Sequence, residues 1–444
     1  MFAIRTDLVI KVTLLLMLII ATRGVLWIWI GDQYLLSGAS EAVARIFSQV
    51  RWLLMAVMLA IVFRARFRPS DLFSLWPILL LTAFFAVTTL WSIASNTDVI
   101  RGALRYFGVV LMAIALCHLA DEDRAFRRLL WVAIGFVAVN VAMLLLPMYA
   151  IHMSGPFAGQ FRGMYMQKNL FGGVGSNIFA ILFVCAVAGE RAYRRHAAIA
   201  AGLLFLLLAW AGSKTAIAAM IVSCGIGLLT LLIVQRRDAR SEGVAFFFIA
   251  LTLSVALGVA GFIAVVEVMN ALDGVTFTGR TLLWDFSIKM GSDRPLLGFG
   301  LDGFWRRFLE QEGKLSQMGL WTIGSAHNGY LEAFLIGGFV GLGLVFLILA
   351  HFFLQLVRLV VAGGSPRLVM LSSTLLVQLI VLNMFETRIT TSIYPDVFLI
   401  GVCLILAGRE LRSAAQRRAA RRSERARRLA AGAGPAMPGL RADA

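Results

Sequence analysis

Apolar stretches long enough to cross a membrane alternate with short connections along most of this chain, and that alternation leaves few folds open. Inside a bilayer every backbone polar group must be bonded within the protein, so a spanning helix needs about 20 apolar residues. Twelve stretches qualify: 8–30, 46–63, 72–93, 99–119, 126–149, 170–189, 197–212, 215–234, 243–267, 329–353, 368–388 and 393–408. Hydrophobic residues make up 60% of the 444 and charged residues 15%, which excludes a set of soluble domains. The expected fold is an all-α polytopic membrane protein of about twelve transmembrane helices. The stretch 197–212 is short, and with 215–234 it reads as a tight hairpin around Gly212-Ser213-Lys214-Thr215. Arg5 and Lys11 before Val12–Ile20 mimic a signal peptide, but the apolar run continues to Ile30, so an uncleaved anchor is expected.

A net charge of +17 would suggest nucleic acid in a soluble chain; here the placement of the cations carries the information. Arg64/Arg66/Arg68, Arg124/Arg127/Arg128, Arg191/Arg194/Arg195, Arg236/Arg237/Arg240 and Arg358/Arg367 occupy alternate connections. The intervening ones are poor in basic residues, so both termini are expected in the cytoplasm and 268–328 outside it. The chain then divides into 1–267 with nine helices, the 268–328 loop, 329–408 with three more, and a basic cytoplasmic tail, 409–444, read as disordered. The tail arginines have no interleaved aromatic residues, which argues against nucleic acid and for attraction to anionic lipid.

Several cations lie on the side where positive charge is normally avoided. Arg23, Arg101, Arg105, Arg162, Lys168, Lys214 and Arg388 all fall near the outer ends of apolar stretches, and Glu386 sits beside the last. Arg101 and Arg105 share a helix face by their spacing of four. Snorkelling to headgroups accounts for such residues singly; together they suggest a membrane-edge cavity suited to a phosphate or pyrophosphate.

The long loop carries the remaining polar chemistry. Arg280 opens an amphipathic pattern with Leu282, Leu283, Phe286 and Met290 on one face, expected to lie on the membrane surface and to stop before Pro295. Asp302 is placed to cap a second short helix bearing Phe304 and Trp305. Gly298-Phe299-Gly300-Leu301-Asp302-Gly303 fits a dinucleotide fingerprint literally, but no strand precedes it, so a glycine turn is the reading. Asp121-Glu122-Asp123 resembles a metal-binding acidic motif and reads instead as the acidic first turn of a helix. The four cysteines lie in apolar stretches without metal-ligand spacing. Ser325 is placed to cap the helix that follows it, leaving His327 and Asn328 at a helix N-terminus, where the dipole favours an anion and a neutral imidazole able to accept a proton.

His327-Asn328-Gly329-Tyr330-Leu331-Glu332 with Gly337-Gly338-Phe339-Val340-Gly341 resembles a motif of the O-antigen ligase and polymerase family. Gly279-Arg280, Trp284, Pro295–Gly300, Gly163…Lys168-Asn169 and Gly212-Ser213-Lys214-Thr215 resemble the same family's outer-face motifs. The resemblance implies a bacterial inner-membrane glycosyltransferase of the GT-C-like type, with 268–328 as its periplasmic loop. Such enzymes move a glycan from undecaprenyl pyrophosphate to an acceptor hydroxyl without metal or other cofactor. It implies that His327 activates the acceptor and Arg280 neutralises the pyrophosphate, with Lys214, Arg101, Arg105, Arg162, Lys168, Asn169 and Asn328 binding donor or glycan. Lys214 departs from the arginine frequent there and loses the bidentate fork. The partners implied are the lipid-linked donor, a glycan or lipid A–core acceptor, membrane lipids, and flippase and chain-length proteins. An exopolysaccharide-type polymerase, a ligase and a protein oligosaccharyltransferase all fit. A flippase for lipid-linked glycan is the competing class; it would need charge through the membrane depth, whereas these charges cluster on one side.

Overall fold

A computed structural model describes residues 2–21, 38–64, 68–235, 280–309, 324–391 and 393–432. The expected span 243–267, Arg23, Thr278-Gly279 and the outer part of the long loop lie outside the described residues. The helices are α1 (Phe2–Ala21), α2 (Gly38–Arg64), α3 (Pro69–Ser74), α4 (Trp76–Val87), α5 (Asn96–Cys117), α6 (Glu122–Ala142), α7 (Lys168–Ala188), α8 (Arg191–Ala211), α9 (Lys214–Gln235), α10 (Arg280–Gly291), α11 (Gly303–Leu309), α12 (Gly329–Ala362), α13 (Pro366–Asn383) and α14 (Asp396–Gly432). Eight of the described helices are long and apolar enough to cross a membrane. The expected stretch 72–93 is instead divided, because Pro77 starts a new helix at α4 and a 3₁₀ turn, Thr88–Leu90, ends it. The tail expected to be disordered continues α14 as helix to Gly432. Its alanines and arginines are strong helix formers, and that propensity carries the helix beyond its apolar part.

Local chemistry sets the helix ends. Asp121 caps α6 by accepting from the Arg124 amide at 2.8 Å. Glu122 accepts from Arg367 Nε at 2.6 Å, and Asp123 pairs with the same guanidinium. The acidic triplet thus stands at the start of a helix, as expected, and serves there as a cap and an ion-pair partner. Gly212, at φ +61°, ends α8 and turns the chain directly into α9, giving the hairpin read from the sequence.

α9 packs along α13, α7 along α8, and α14 along α5. Lipid offers no hydrophobic drive between helices, so close backbone approach and buried polar bonds hold them. Gln378 of α13 donates to Ser176 Oγ at 2.9 Å and Asn177 Oδ1 at 3.1 Å of α7, and accepts from Ser223 of α9 at 3.4 Å. One end of the bundle gathers the ion pairs Arg128–Asp7, Arg409–Asp71, Arg367–Glu122 and Arg127–Glu190. The residues around His327 lie at the other end.

α12 is two helices. Gly338 sits at φ 57°, ψ −151° and interrupts it. The freed carbonyls of Leu335 and Ile336 accept from Phe299 N (2.8 Å) and Gly300 N (2.9 Å), while Phe339 N and Val340 N donate to Pro295 O (2.7 Å) and Leu296 O (3.3 Å). A broken helix is tolerated in a membrane protein only with such replacements. The loop segment 295–300 is thus docked onto the break, and its glycines are the contact: a Cβ on Gly298 would lie 2.6 Å from the Gly337 amide. The glycine run is a backbone turn, at φ +61° for Gly298 and +81° for Gly300.

A Cβ on Gly338 would lie 2.3 Å from the Leu296 carbonyl carbon, in a conformation that L residues avoid. Gly338→Ala should therefore lower stability by on the order of 2 kcal/mol, read as a fall in the thermal midpoint of the purified protein. Gly343→Ala is the control, since nothing lies within 4 Å of that position. Equal midpoints for the two variants would refute the docking role of the break.

Candidate active site

The loop builds a small core of its own at this end. Leu283, Phe299, Phe304, Trp305, Ala326 and Leu335 are buried together, with Trp284, Phe286 and Met290 against them. Leu283, Phe286 and Met290 of α10 therefore pack on protein, where the expectation put them on the membrane surface. The aromatic rings of α11 and Phe299 supply a larger apolar partner than a headgroup layer does, and the docked 295–300 segment brings them within reach.

This core grips the turn that carries His327. The Ala326 amide donates to Glu332 Oε2 at 2.7 Å, and the Ala326 carbonyl accepts from Trp284 Nε1 at 2.9 Å. Trp305 Nε1 donates to the other Glu332 oxygen at 2.8 Å. His327 itself is at φ +46°, a left-handed conformation few non-glycine residues adopt. Such strain persists only where the surroundings over-determine it, and it concentrates at functional sites. Asn328, not Ser325, caps α12: its Oδ1 accepts from Tyr330 N at 3.0 Å and Leu331 N at 3.1 Å. The left-handed turn at His327 shifts the helix start by three residues beyond the expected cap.

Glu386, just past α13, ties the turn to the far side of the site. Its Oε2 lies 3.1 Å from His327 Nδ1, and its Oε1 accepts from Arg280 Nη2 at 3.0 Å. Burial alone would push the Glu386 carboxyl up; the His327 ring and the Arg280 and Arg388 guanidinium groups outweigh it and hold the carboxyl below the usual range. A carboxylate at that distance is placed to accept a proton from Nδ1, and in a neutral ring so oriented Nε2 is the acceptor. The His327 side chain is 41% exposed and that of Glu386 15%, so the imidazole faces open space while its partner is enclosed. Arg388 is fully buried, bonded to Gly173 O at 3.2 Å and Asp396 at 3.3 Å beneath the Tyr394 ring. It does not snorkel.

A cavity of about 450 Å³ opens in front of this pair. Arg105, Asn169, His327 and Glu386 line it, with Thr387, Thr390 and Tyr394 along one wall and Asp302 and Trp305 along another. Of the residues singled out in the sequence, the structure brings Arg105, Asn169 and His327 to that cavity. Arg105 lies 4.0 Å from Asp302. Arg101 is exposed one turn away, and its carbonyl accepts from Arg105 Nε at 3.2 Å. Lys168 Nζ reaches Gly212 O at 3.4 Å beside exposed Lys214 at the α8–α9 hairpin, and neither lysine lines the cavity. Arg280 faces Glu386 rather than the cavity. Arg162 is buried, donating to Tyr149 O at 3.0 Å and Met148 O at 3.4 Å, so it braces the 147–163 segment. Asn328 serves as the cap.

Residues 199–347 match the O-Antigen ligase family. The exopolysaccharide production protein ExoQ of Rhizobium meliloti (strain 1021) is 26% identical over 306 residues, covering 66% of this chain and 68% of that protein. These two matches support a member of the O-antigen ligase and polymerase family. With them comes a polysaccharide ligase or polymerase role in a multi-pass membrane protein. The matched family segment contains Lys214, Arg280, His327 and Asn328 and ends before Glu386, which is the residue the sequence reading did not select.

A carboxyl held below its unfolded value stabilises the fold at pH above the ordinary carboxylate range, and that contribution fades as pH falls through the lower folded value. Glu386→Gln should therefore have a lower thermal midpoint than the parent near pH 7, and the gap should narrow between roughly pH 5 and pH 3. A gap that stays constant over that range would show that the ionised carboxylate is not what links His327 and Arg280.

Proposed function

We propose that this protein is a membrane glycosyltransferase that moves a glycan from undecaprenyl pyrophosphate to an acceptor hydroxyl, as an exopolysaccharide or O-antigen polymerase or ligase. The reaction is assigned to the periplasmic face of the inner membrane, with both termini cytoplasmic, in keeping with the basic connections gathered at the opposite end of the bundle. The observation that carries this reading is the His327–Glu386 pair, 3.1 Å apart, at the wall of a cavity that also holds Arg105 and Asn169.

Glu386 fixes the tautomer and orientation of the imidazole, in the way a carboxylate orients a general-base histidine. Nε2 then takes the acceptor proton as the acceptor oxygen attacks the anomeric carbon. The bond from that carbon to the diphosphate oxygen breaks, and the electron pair leaves with the diphosphate. A single displacement inverts the anomeric configuration. Diphosphate is already an adequate leaving group, so positioning and charge neutralisation supply most of the remaining catalysis. Arg105 faces the cavity for that purpose; Arg101, Lys168 and Lys214 are assigned the same task, and Asn169 contacts the donor or glycan. Arg280 acts on the diphosphate if it exchanges Glu386 for it when donor binds; otherwise its role is to brace Glu386.

His327→Ala should lower transfer by about 10²–10⁴-fold, with normal membrane insertion. Glu386→Gln should keep the imidazole but lower turnover, because the amide lets the ring take the wrong tautomer. Both are read as release of lipid diphosphate from a purified lipid-linked glycan in reconstituted vesicles. Parental turnover by His327→Ala would rule out the assigned base. Movement of the glycan across the bilayer without diphosphate release would make the protein a transporter instead.

A further inference from the structure

At the end of the bundle away from His327, the last turns of α12, the start of α14's basic half and α3 enclose a groove of about 750 Å³. Arg358, Arg412, Arg418 and Arg422 line it, together with the apolar Phe73, Val357 and Val361. Arg418 and Arg422 reach the groove because 411, 415, 418 and 422 recur at helical spacing on one face of α14; Arg417 and Arg421 fall outside the lining. Gly408 lets α14 approach α3, since a Cβ there would lie 2.2 Å from Ser74 Oγ.

The charge in this groove is unbalanced. Asp71 pairs with Arg409 at 2.5 Å and with Arg412 at 3.3 Å. Among the described residues no carboxylate pairs with Arg358, Arg418 or Arg422, and none lines the groove. The apolar lining is open as well: Phe73 is 76% exposed and Val361 57%. Gln355 adds a buried Oε1 with no donor. A soluble anion would satisfy the arginines and leave Phe73 and Val361 bare. A molecule with an anionic head and an aliphatic tail matches both at once. The groove lies at the end of a membrane-length helix, at the level where hydrocarbon gives way to headgroups.

We infer that this groove binds one anionic glycerophospholipid. Its phosphate lies against Arg358, Arg418 and Arg422, an acyl chain runs along Phe73, Val357 and Val361, and a headgroup hydroxyl donates to Gln355 Oε1. This site is independent of glycan transfer, which is assigned to the other end of the bundle.

The test uses the full-length purified protein titrated with phosphatidylglycerol and, separately, with inorganic phosphate, with bound lipid counted by native mass spectrometry. Two double variants remove the same charge from the same exposed helix: Arg418→Gln with Arg422→Gln in the groove, and Arg417→Gln with Arg421→Gln outside it. The parent and the outside variant should each hold one phosphatidylglycerol, and the groove variant should bind it about tenfold more weakly or worse. Equal weakening in both variants would reduce the effect to diffuse charge attraction and overturn the site. So would the absence of bound lipid on the parent, or stabilisation by inorganic phosphate equal to that by lipid.

Discussion

The break at Gly338 is the constraint on which the rest of the active end depends. A continuous α12 would bond its own carbonyls and leave the loop nothing to dock on. Interrupted, it exposes two acceptors and two donors at the membrane edge, and 295–300 supplies the matching groups. Once that segment is held, Phe299, Phe304 and Trp305 pack with α10, and together they close on the Ala326 peptide. The left-handed turn at His327 is the last member of that series. Its strain is small beside the number of bonds that hold it, which is how an unfavourable backbone conformation persists at His327.

The second constraint is electrostatic. Glu386 sits among Arg280, His327 and Arg388 in a partly dry environment, so its carboxyl is held below the usual range where burial alone would raise it. One carboxylate thereby connects the loop, the turn and the end of α13, three segments far apart in the chain. Other cations at this end of the bundle have partners as well: Arg388 pairs with Asp396, Arg162 braces backbone, and Arg105 lines the cavity beside Asp302.

Much of the fold was legible in the sequence because apolar length and glycine turns are local properties. The α8–α9 hairpin, the acidic cap at Asp121 and the role of Gly298 and Gly300 all follow from residues within a few positions. His327 was legible through its motif. Glu386 was not, because its partners lie 59 and 106 residues away in the chain. Arg162 looked like a ligand for the same reason: sequence reports that a cation lies near the membrane edge, not whether its guanidinium is already occupied by carbonyls. The apolar face of α10 was visible, but the surface that covers it is made by distant aromatic residues. The helix over 409–432 was not legible because charge and low complexity suggest disorder, whereas alanine and arginine favour helix.

The clamp on the Ala326 peptide has a consequence for how chains with this arrangement can diversify. Its two ends are held by Trp284 and by the Glu332–Trp305 pair, so the turn, α10 and α11 form a single interlocked unit. A chimera that imports the histidine motif without the tryptophans of the preceding loop would carry His327 but lose its geometry. Recombination is therefore expected to keep α10, α11 and the His327 turn together, with novelty arising around that unit rather than within it.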